Sequence, residues 1–439
     1  MKVKRKILVV FLFLILYFFF LLLNSTQLIS NLLFGQILCV FAISFAFIPV
    51  LESFIKKNIL FTILFLFIFL FTYTLKYFYF DRLWISYHQI NVGSVETMNQ
   101  VVSIIFLFNI IFWYLLKLPI KNLLSRKPII YNSNLLFFLN ISIFVLMSIF
   151  GNTNEYIFNS GGYALSSGTG SKNSLTEYAI IFLAASFIYS GNSKKKLILL
   201  YTVSILYCLK NLLQGGRIET VMVLFLILIF DLVHRFSFYK LLIGATVSFT
   251  FLSIFSFFRN NPTNLLTLDG FETLFSYLIE KRSTNFISNN QGDVLYASER
   301  MILLINDEIL DIYSRIKGFF YFIIGPFVPS KYLPAEANLS SFRTDLYSVG
   351  GGGLAPIHLY VYLSYLGLVI LAVVVSRAIY GFNYKNMNSF LYYYGLLVLV
   401  STPRWYAYNP IFLIKFCLLG ATYLYILSRL KNPILQDHY

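Results

Sequence analysis

The sequence predicts an all-α polytopic membrane protein, built as a single transmembrane domain over residues 1–439. Of these residues 58% are hydrophobic and only 12% are charged, whereas soluble domains carry about 25% charged residues. Apolar runs of about 17 residues or more recur along the chain, and each is long enough to form a transmembrane helix. No segment combines the length and the charge of a separate soluble domain.

The apolar runs predict about twelve transmembrane helices. The first run follows the basic segment 2–6, which resembles a signal peptide, but no small-residue cleavage site comes after it. We therefore expect the first helix to be retained. The predicted spans are residues 7–23, 32–51, 58–76, 101–118, 135–151, 176–190, 197–213, 218–233, 239–258, 356–376, 389–402 and 410–428.

The loops between these spans differ in charge. Lysine and arginine collect in alternate loops, such as 52–57, 117–134 and 191–196, while the loops between these are poor in basic residues. Because basic residues collect on the cytoplasmic side of membrane helices, the pattern predicts that both termini are cytoplasmic. The loops also account for the net charge of +16, so we expect no nucleic-acid partner.

Residues 259–355 form one long connection, which is external by the same alternation. Long loops are translocated largely regardless of their charge, so the mixed charges of this one leave the predicted topology unchanged. Residues 293–316 have the pattern of an amphipathic helix on the membrane surface. Residues 318–326 are apolar but too short to span, which is typical of a re-entrant or interfacial piece.

Several kinds of chemistry are excluded by the absence of their signatures. The sequence contains no phosphate-binding loop, no dinucleotide fingerprint, no zinc-protease motif and no serine-hydrolase motif. The three cysteines, Cys39, Cys208 and Cys417, lie in apolar runs without ligand-like spacing. We therefore expect no metal and no cofactor, and candidate residues must be sought at the predicted external ends of the helices.

The first candidate is the turn formed by Gly215, Gly216, Arg217 and Glu219. Two glycines allow a sharp turn and a close approach of the backbone to a ligand. Arg217 then stands at the start of a helix, where free N–H groups and the helix dipole favour an anion such as phosphate. The alternative is that Arg217 reaches the membrane interface and pairs with Glu219.

The second candidate lies near the end of the long loop. Arg343 and Asp345 precede four consecutive glycines, and His358 follows at the start of a predicted helix. A histidine can act as a general base near neutral pH. The alternatives are that His358 only caps its helix, and that Arg343 forms a surface ion pair with Asp345 or Glu336.

The third candidate is Arg404 beside Trp405, a pair that could hold an anion or a sugar, although tryptophan is also a common interfacial residue. Arg259 ends another predicted span in a similar way. Lys210 and Lys415 lie inside apolar runs, where a charge is costly and often functional, but both are close enough to the surface to reach it. Together the candidates predict a basic cluster at the external membrane face, which suits a lipid-linked pyrophosphate.

The chain has a predicted layout of about twelve helices, a late external loop, the Gly-Gly-Arg217-Ile-Glu219 turn, and a glycine-rich stretch that runs into Pro356-Ile-His358 and on to Gly367. Together these features resemble the Wzy-type O-antigen polymerases. The resemblance covers most of the chain as architecture. As sequence motif it covers only the Arg217 turn and residues 341–367.

This resemblance implies a metal-independent glycosyltransferase of the GT-C type in the bacterial inner membrane, acting on undecaprenyl-pyrophosphate-linked oligosaccharide. It also implies a flippase and a chain-length regulator as partners. Arg217 and Arg404, with Arg343 or Arg259, would stabilise the leaving pyrophosphate. His358 would be the general base.

Three alternatives remain open at this stage. Glu336 or Asp345 could act as the base in place of His358. O-antigen ligases share the layout and carry a histidine at the outer end of a late helix, so the chain could be a ligase. A lipid-linked oligosaccharide transporter is the third alternative; it would require polar residues deep in the spans and often an inverted repeat.

Overall fold

The computed structural model describes residues 3–80, 94–116, 130–150, 175–191, 193–213, 217–257, 267, 272, 283–347, 352–383 and 390–430. Over these ranges the chain is helical. Five of its helices are long and apolar enough to cross a membrane: Lys6–Ser25, Asn31–Ile55, Ile59–Tyr79, Val95–Leu115 and Ala355–Phe382. A helical membrane protein is therefore confirmed at this level, while the count of about twelve spans stays a prediction.

The helices are numbered α1 to α17 in chain order. They are α1 Val3–Ser25, α2 Asn31–Ile55, α3 Ile59–Tyr73, α4 Leu75–Tyr79, α5 Val95–Leu115, α6 Asn134–Phe150, α7 Leu175–Ile188, α8 Lys194–Leu213, α9 Ile218–Ile227 with its π-helical continuation Leu228–Leu232, α10 Phe238–Phe257, α11 Ser283–Asn306, α12 Ile312–Ile324, α13 Leu339–Tyr347, α14 Ala355–Asn383, α15 Phe390–Val400, α16 Thr402–Ala407, and α17 Leu419–Arg429 after the π-helical Leu413–Leu418.

Polar residues define where several of the apolar helices begin. Ser30, Asn58 and Ser94 precede α2, α3 and α5, and each side-chain oxygen accepts a hydrogen bond from the backbone N–H three residues later. Such a cap satisfies one of the N–H groups that a helix start leaves without a partner. In apolar surroundings this matters more, because water does not replace the missing acceptor.

The polar contacts at the helix ends show which helix starts and which helix ends lie on the same side of the bundle. At one end, Lys6 Nζ donates to the carbonyl oxygens of Trp113 (3.1 Å) and Leu116 (2.9 Å). Glu52 joins this group because its Oε2 atom accepts a hydrogen bond from Trp113 Nε1 (3.2 Å) and lies 3.8 Å from Lys6 Nζ. The start of α1 and the ends of α2 and α5 therefore lie together, and we call this the Lys6 end.

At the opposite end, Tyr79 donates to Asn99 Oδ1 (2.7 Å) and Asn99 donates to the carbonyl oxygen of Asn31 (2.8 Å). The starts of α2 and α5 and the end of α4 therefore meet there, and we call this the Tyr79 end. The predicted topology makes the Lys6 end cytoplasmic and the Tyr79 end external.

The structure differs from the prediction of one amphipathic surface helix over residues 293–316. α11 ends at Asn306 and α12 begins at Ile312. Val294, Ala297 and Met301 are at most 1% exposed, because α11 packs against α5 and α14 on the inside of the protein. The prediction was wrong because the pattern within this segment identified one apolar face of α11, whereas neighbouring helices cover more than one.

α14 is broken rather than continuous, contrary to the predicted single span 356–376. Ser364 has φ 53° and ψ −141°, so the chain leaves the helix between residues 355–363 and residues 365–383. The second part approaches the first very closely. A Cβ atom at Gly367 would lie 2.1 Å from the carbonyl oxygen of Leu359, which leaves room only for glycine.

The break is held by an arginine from α12. Arg315 donates through Nη2 to the carbonyl oxygen of Tyr360 (3.1 Å) and to Ser364 Oγ (2.7 Å), and through Nε to the carbonyl oxygen of Val361. The carbonyl groups at the end of a helix have no partner within the helix, and they carry the negative end of its dipole. A guanidinium at this position donates hydrogen bonds to these carbonyl groups and places a positive charge at the negative end of the helix dipole.

A glycine pair tests the close approach at the break. Gly367→Ala should lower the temperature of thermal unfolding in detergent, because its methyl group has no space beside Leu359. Gly244→Ala is the matched control, since a Cβ at this helical glycine meets no atom within 4 Å. Alanine stabilises an open helical site by about 0.5–1 kcal/mol relative to glycine. Equal effects of the two substitutions would contradict the broken geometry of α14.

Candidate functional site

The candidate site is built around two consecutive residues of α11. The carbonyl oxygen of Ala297 accepts a hydrogen bond from Arg343 Nη1 (3.1 Å), and Ser298 Oγ accepts one from the backbone N–H of Leu354 (2.9 Å). Ser298 is fully buried, and its hydroxyl also donates to the carbonyl oxygen of Val294 (2.7 Å). We call Ala297 and Ser298 the α11 anchor, because they hold α13 and the start of α14 in one place.

Arg343 is the charged centre of this region. It is 0% exposed, and its Nη1 atom also lies 3.5 Å from the carbonyl oxygen of Gly352. Burial lowers the pKa of Arg343 to about 10, so the side chain remains a cation at neutral pH. The predicted alternative, a surface ion pair, does not describe this position: Asp345 is exposed, whereas Arg343 points inward.

His358 lies beside Arg343 in the first part of α14. Its ring is 1% exposed; Nε2 lies 3.2 Å from Ser340 Oγ and Nδ1 lies 3.3 Å from the carbonyl oxygen of Leu354. With the proton on Nδ1, Nε2 is free to accept a hydrogen bond, which is the state that a general base requires. Arg343 is close enough to His358 to act on it electrostatically.

The other two predicted bases have different surroundings. Glu336 is half-buried, and its backbone carbonyl accepts a hydrogen bond from the Tyr362 hydroxyl at 3.0 Å. Asp345 is exposed on the outer face of α13. Of the three candidates, only His358 is buried beside Arg343.

Arg404 forms a second charged group at the Tyr79 end. Its Nη2 atom lies 2.6 Å from Glu177 Oε1, and the two side chains are 28% and 5% exposed. Glu219 is buried at the start of α9 and also attracts Arg404. Burial alone would lower the pKa of Arg404, but the attraction of the two carboxylates outweighs this effect and raises it above the usual arginine value.

The rest of the predicted turn is only partly described. Arg217 lies immediately before α9 and is half-buried, two positions from Glu219. The turn therefore brings Glu219 to Arg404, as well as bringing Arg217 to this end of the protein. Gly215, Gly216 and Arg259 lie outside the described residues.

Two glycines connect the two charged groups. The N–H of Gly353 donates to the carbonyl oxygen of Tyr408 (3.3 Å), directly after the helix that carries Arg404. A Cβ at Gly352 would lie 2.1 Å from Tyr408 Cα, and one at Gly353 would lie 3.2 Å from His358 Cε1. Glycine is required here because the backbone passes between α16 on one side and Arg343 and His358 on the other. We call Gly352 and Gly353 the glycine bridge.

The structure also describes the positions of three other predicted site residues, Trp405, Lys210 and Lys415. Trp405 is 1% exposed and its Nε1 donates to the carbonyl oxygen of Val398 (2.9 Å), so its ring packs in the core rather than facing a ligand. Lys210 donates to the carbonyl oxygen of Ser148 at the end of α6. Lys415 is half-buried within the π-helical turn before α17.

The sequence reasoning missed two acidic residues, Glu177 and Glu299. Glu299 is 0% exposed, and neither carboxylate oxygen has a hydrogen-bond partner among the residues that the structure describes. Burial raises the pKa of Glu299 to about 7, against a smaller opposite effect of Arg300. Both acids could have been noticed, because each lies within or beside an apolar run of a chain that contains only 18 acidic residues.

Comparison of the chain with protein-family models, with curated proteins and with solved structures gives no match. Within the described part of the chain, no three side chains of the types His, Cys, Asp and Glu come together as a metal site would require.

The ion pair between Arg404 and Glu177 is testable by a double-mutant cycle. Arg404→Met and Glu177→Gln should each lower the unfolding temperature, because either change leaves a charge buried without its partner. The loss should be smaller than the about 3–5 kcal/mol of a fully buried pair, since Arg404 retains 28% exposure. The double variant should lose less than the sum of the two. Additive losses would contradict the ion pair. Arg429→Met, at an exposed position, is the control.

The pKa of Glu299 predicts a dependence of stability on pH. Because its folded pKa lies above the usual glutamate value, the protonated form stabilises the fold at low pH, and this contribution is lost as the pH rises towards and through 7. Glu299→Gln should remove the loss, which is on the order of 3 kcal/mol. Unfolding temperatures from pH 5 to 8 test this, with the exposed Glu308→Gln as control. Parallel curves for Glu299→Gln and wild type would contradict the prediction.

Proposed function

We propose that the protein is a metal-independent glycosyltransferase that polymerises undecaprenyl-pyrophosphate-linked oligosaccharide repeat units at the outer face of the bacterial inner membrane. This is the activity of the O-antigen polymerases that the sequence resembles. The observation that carries the proposal is the position of His358 beside Arg343, both buried at the end of the bundle that the charge pattern predicts to be external. Both termini would then be cytoplasmic.

The proposed reaction needs a base and a positive charge. A hydroxyl group of the acceptor saccharide attacks the anomeric carbon of the donor, and the bond from that carbon to the pyrophosphate oxygen breaks. The hydroxyl proton passes to His358 Nε2, which would exchange its hydrogen bond with Ser340 for one with the acceptor. Undecaprenyl pyrophosphate leaves as an anion.

Arg343 is the group that we assign to the leaving pyrophosphate. A preorganised cation in a region with little water stabilises developing negative charge far better than an exposed one. Arg404 is a weaker candidate, because Glu177 already compensates its charge at 2.6 Å. We assign Arg404 to holding the glycine bridge in position through Tyr408, whose carbonyl oxygen accepts the Gly353 N–H. Arg217, at the start of α9, would contact the more distant phosphate.

A transporter of lipid-linked oligosaccharide is the second candidate. Two observations favour it: α14 is interrupted at Ser364, and Glu299 is a buried acid. Interrupted spans and buried titratable groups are frequent in transporters. An O-antigen ligase is a third possibility, since it would use His358 in the same position.

Complementation of a deletion strain tests the proposal. The deletion should leave single repeat units on the surface lipid, and the wild-type gene should restore a ladder of polymer on a gel. His358→Gln and Arg343→Gln should fail to restore the ladder at equal membrane levels, because one lacks the base and the other lacks the buried charge. Arg429→Gln, an exposed control, should restore it.

Two other outcomes would contradict the polymerase, and a third would contradict the assigned site. Polymer that remains on its polyprenyl carrier would identify a ligase, and repeat units that accumulate on the inner leaflet would identify a transporter. A full ladder with both His358→Gln and Arg343→Gln would mean that the chemistry occurs elsewhere in the molecule.

A further inference from the structure

We infer that α12 lies in the plane of the membrane at the end of the bundle that carries His358, with the acyl chains of the bilayer covering its outer face. The helix belongs to the long connection between spans rather than to a span. This inference is independent of the proposed function, because it concerns where α12 lies and not what the protein catalyses.

α12 is too short to span a membrane, and it exposes one apolar face. Its 13 residues extend roughly 20 Å, too short to cross a hydrocarbon core of about 30 Å. Large apolar side chains nevertheless point outward with a helical spacing. They are Ile312 (72% exposed), Tyr313 (71%), Ile316 (44%), Phe320 (62%), Ile323 (39%) and Ile324 (43%).

The opposite face of α12 is fixed to α14. Phe322 packs against Tyr362 with ring centroids 5.3 Å apart, and Phe319 packs against the same ring at 6.1 Å. Gly318 lies under the Tyr362 ring, where an added Cβ would be 3.1 Å away. Together with Arg315 at the break, these contacts fix the rotation of α12 about its own axis. Its exposed apolar side chains therefore form a stripe, and all of them point away from α14.

The exposed stripe begins where the lipid-facing surface of a span begins. Arg315 binds the break at Ser364, and the next two residues of α14, Tyr365 and Leu366, are 56% and 60% exposed. They belong to one of the five helices able to cross a membrane. The break follows nine residues of helix, so α12 contacts α14 roughly 13 Å along the axis from the first residue of α14.

The polar residues of α12 and its continuation fit the same position. Lys317 within α12 and Lys331 after it are both exposed, and Lys331 Nζ lies 4.8 Å above the Tyr332 ring. Lysine and tyrosine are the usual residues at the level of lipid headgroups. A bilayer is preferred over a second protein copy as the cover, because the stripe continues the surface that α14 already presents to lipid.

Spin labels test the position of α12 directly. Phe320→Cys and Ile316→Cys would be labelled in the full-length protein, with Cys39, Cys208 and Cys417 replaced and the protein in phosphatidylethanolamine and phosphatidylglycerol vesicles. Asp345→Cys, exposed on the neighbouring helix α13, is the control. Collision rates with oxygen, which concentrates in lipid, and with a water-soluble nickel chelate are then compared.

We expect the ratio of oxygen to nickel collisions to be at least several-fold higher at residues 316 and 320 than at residue 345. Nickel accessibility at 316 and 320 equal to that at 345 would place α12 in water and overturn the inference. Protection of both sites from both reagents would mean that protein covers the stripe, which also overturns it. Two labelled sites guard against one disruptive substitution, and the readout does not depend on enzymatic activity.

Discussion

Burial of one cation, Arg343, is the constraint on which the rest of the candidate site depends. A charged side chain without exposure is stable only where other groups replace water. Here the carbonyl oxygens of Ala297 and Gly352 contribute to that role, and each belongs to a different segment. Ala297 is part of the α11 anchor, whose second residue, Ser298, holds the start of α14. The same few contacts therefore fix Arg343, the glycine bridge and His358 relative to one another.

Arg343, which is buried, and Arg404, which is partly buried, have their charges stabilised in two different ways. Arg404 has a carboxylate 2.6 Å away and a second one nearby, so its charge is largely neutralised. The hydrogen bonds of Arg343 with Ala297 and Gly352 are to backbone dipoles, which stabilise a cation without cancelling it. We assign the anionic leaving group to Arg343 because this arginine is fully buried beside His358.

The coarse architecture could be predicted from the sequence because it depends on local composition. Five apolar runs became helices able to span, and Arg217, Arg404, Arg343 and His358 lie at one end of the bundle.

The break at Ser364 could not be predicted, since it depends on Arg315, which is distant in sequence. Glu177 and Glu299 were missed for a similar reason: only the packing of α7, α9 and α11 shows that they are buried. Trp405 was expected near a ligand because it follows Arg404, but helical geometry turns it into the core.

The most direct measurement of the central claim uses the purified protein in lipid vesicles with an undecaprenyl-pyrophosphate-linked repeat unit. Release of undecaprenyl pyrophosphate would be followed together with the length of the saccharide, in the presence of a metal chelator. We expect one equivalent of carrier to be released for each repeat unit added, and this release to be lost in Arg343→Gln. Movement of the intact lipid-linked unit across the bilayer, without release of carrier, would contradict the assignment of Arg343 and His358 to glycosyl transfer.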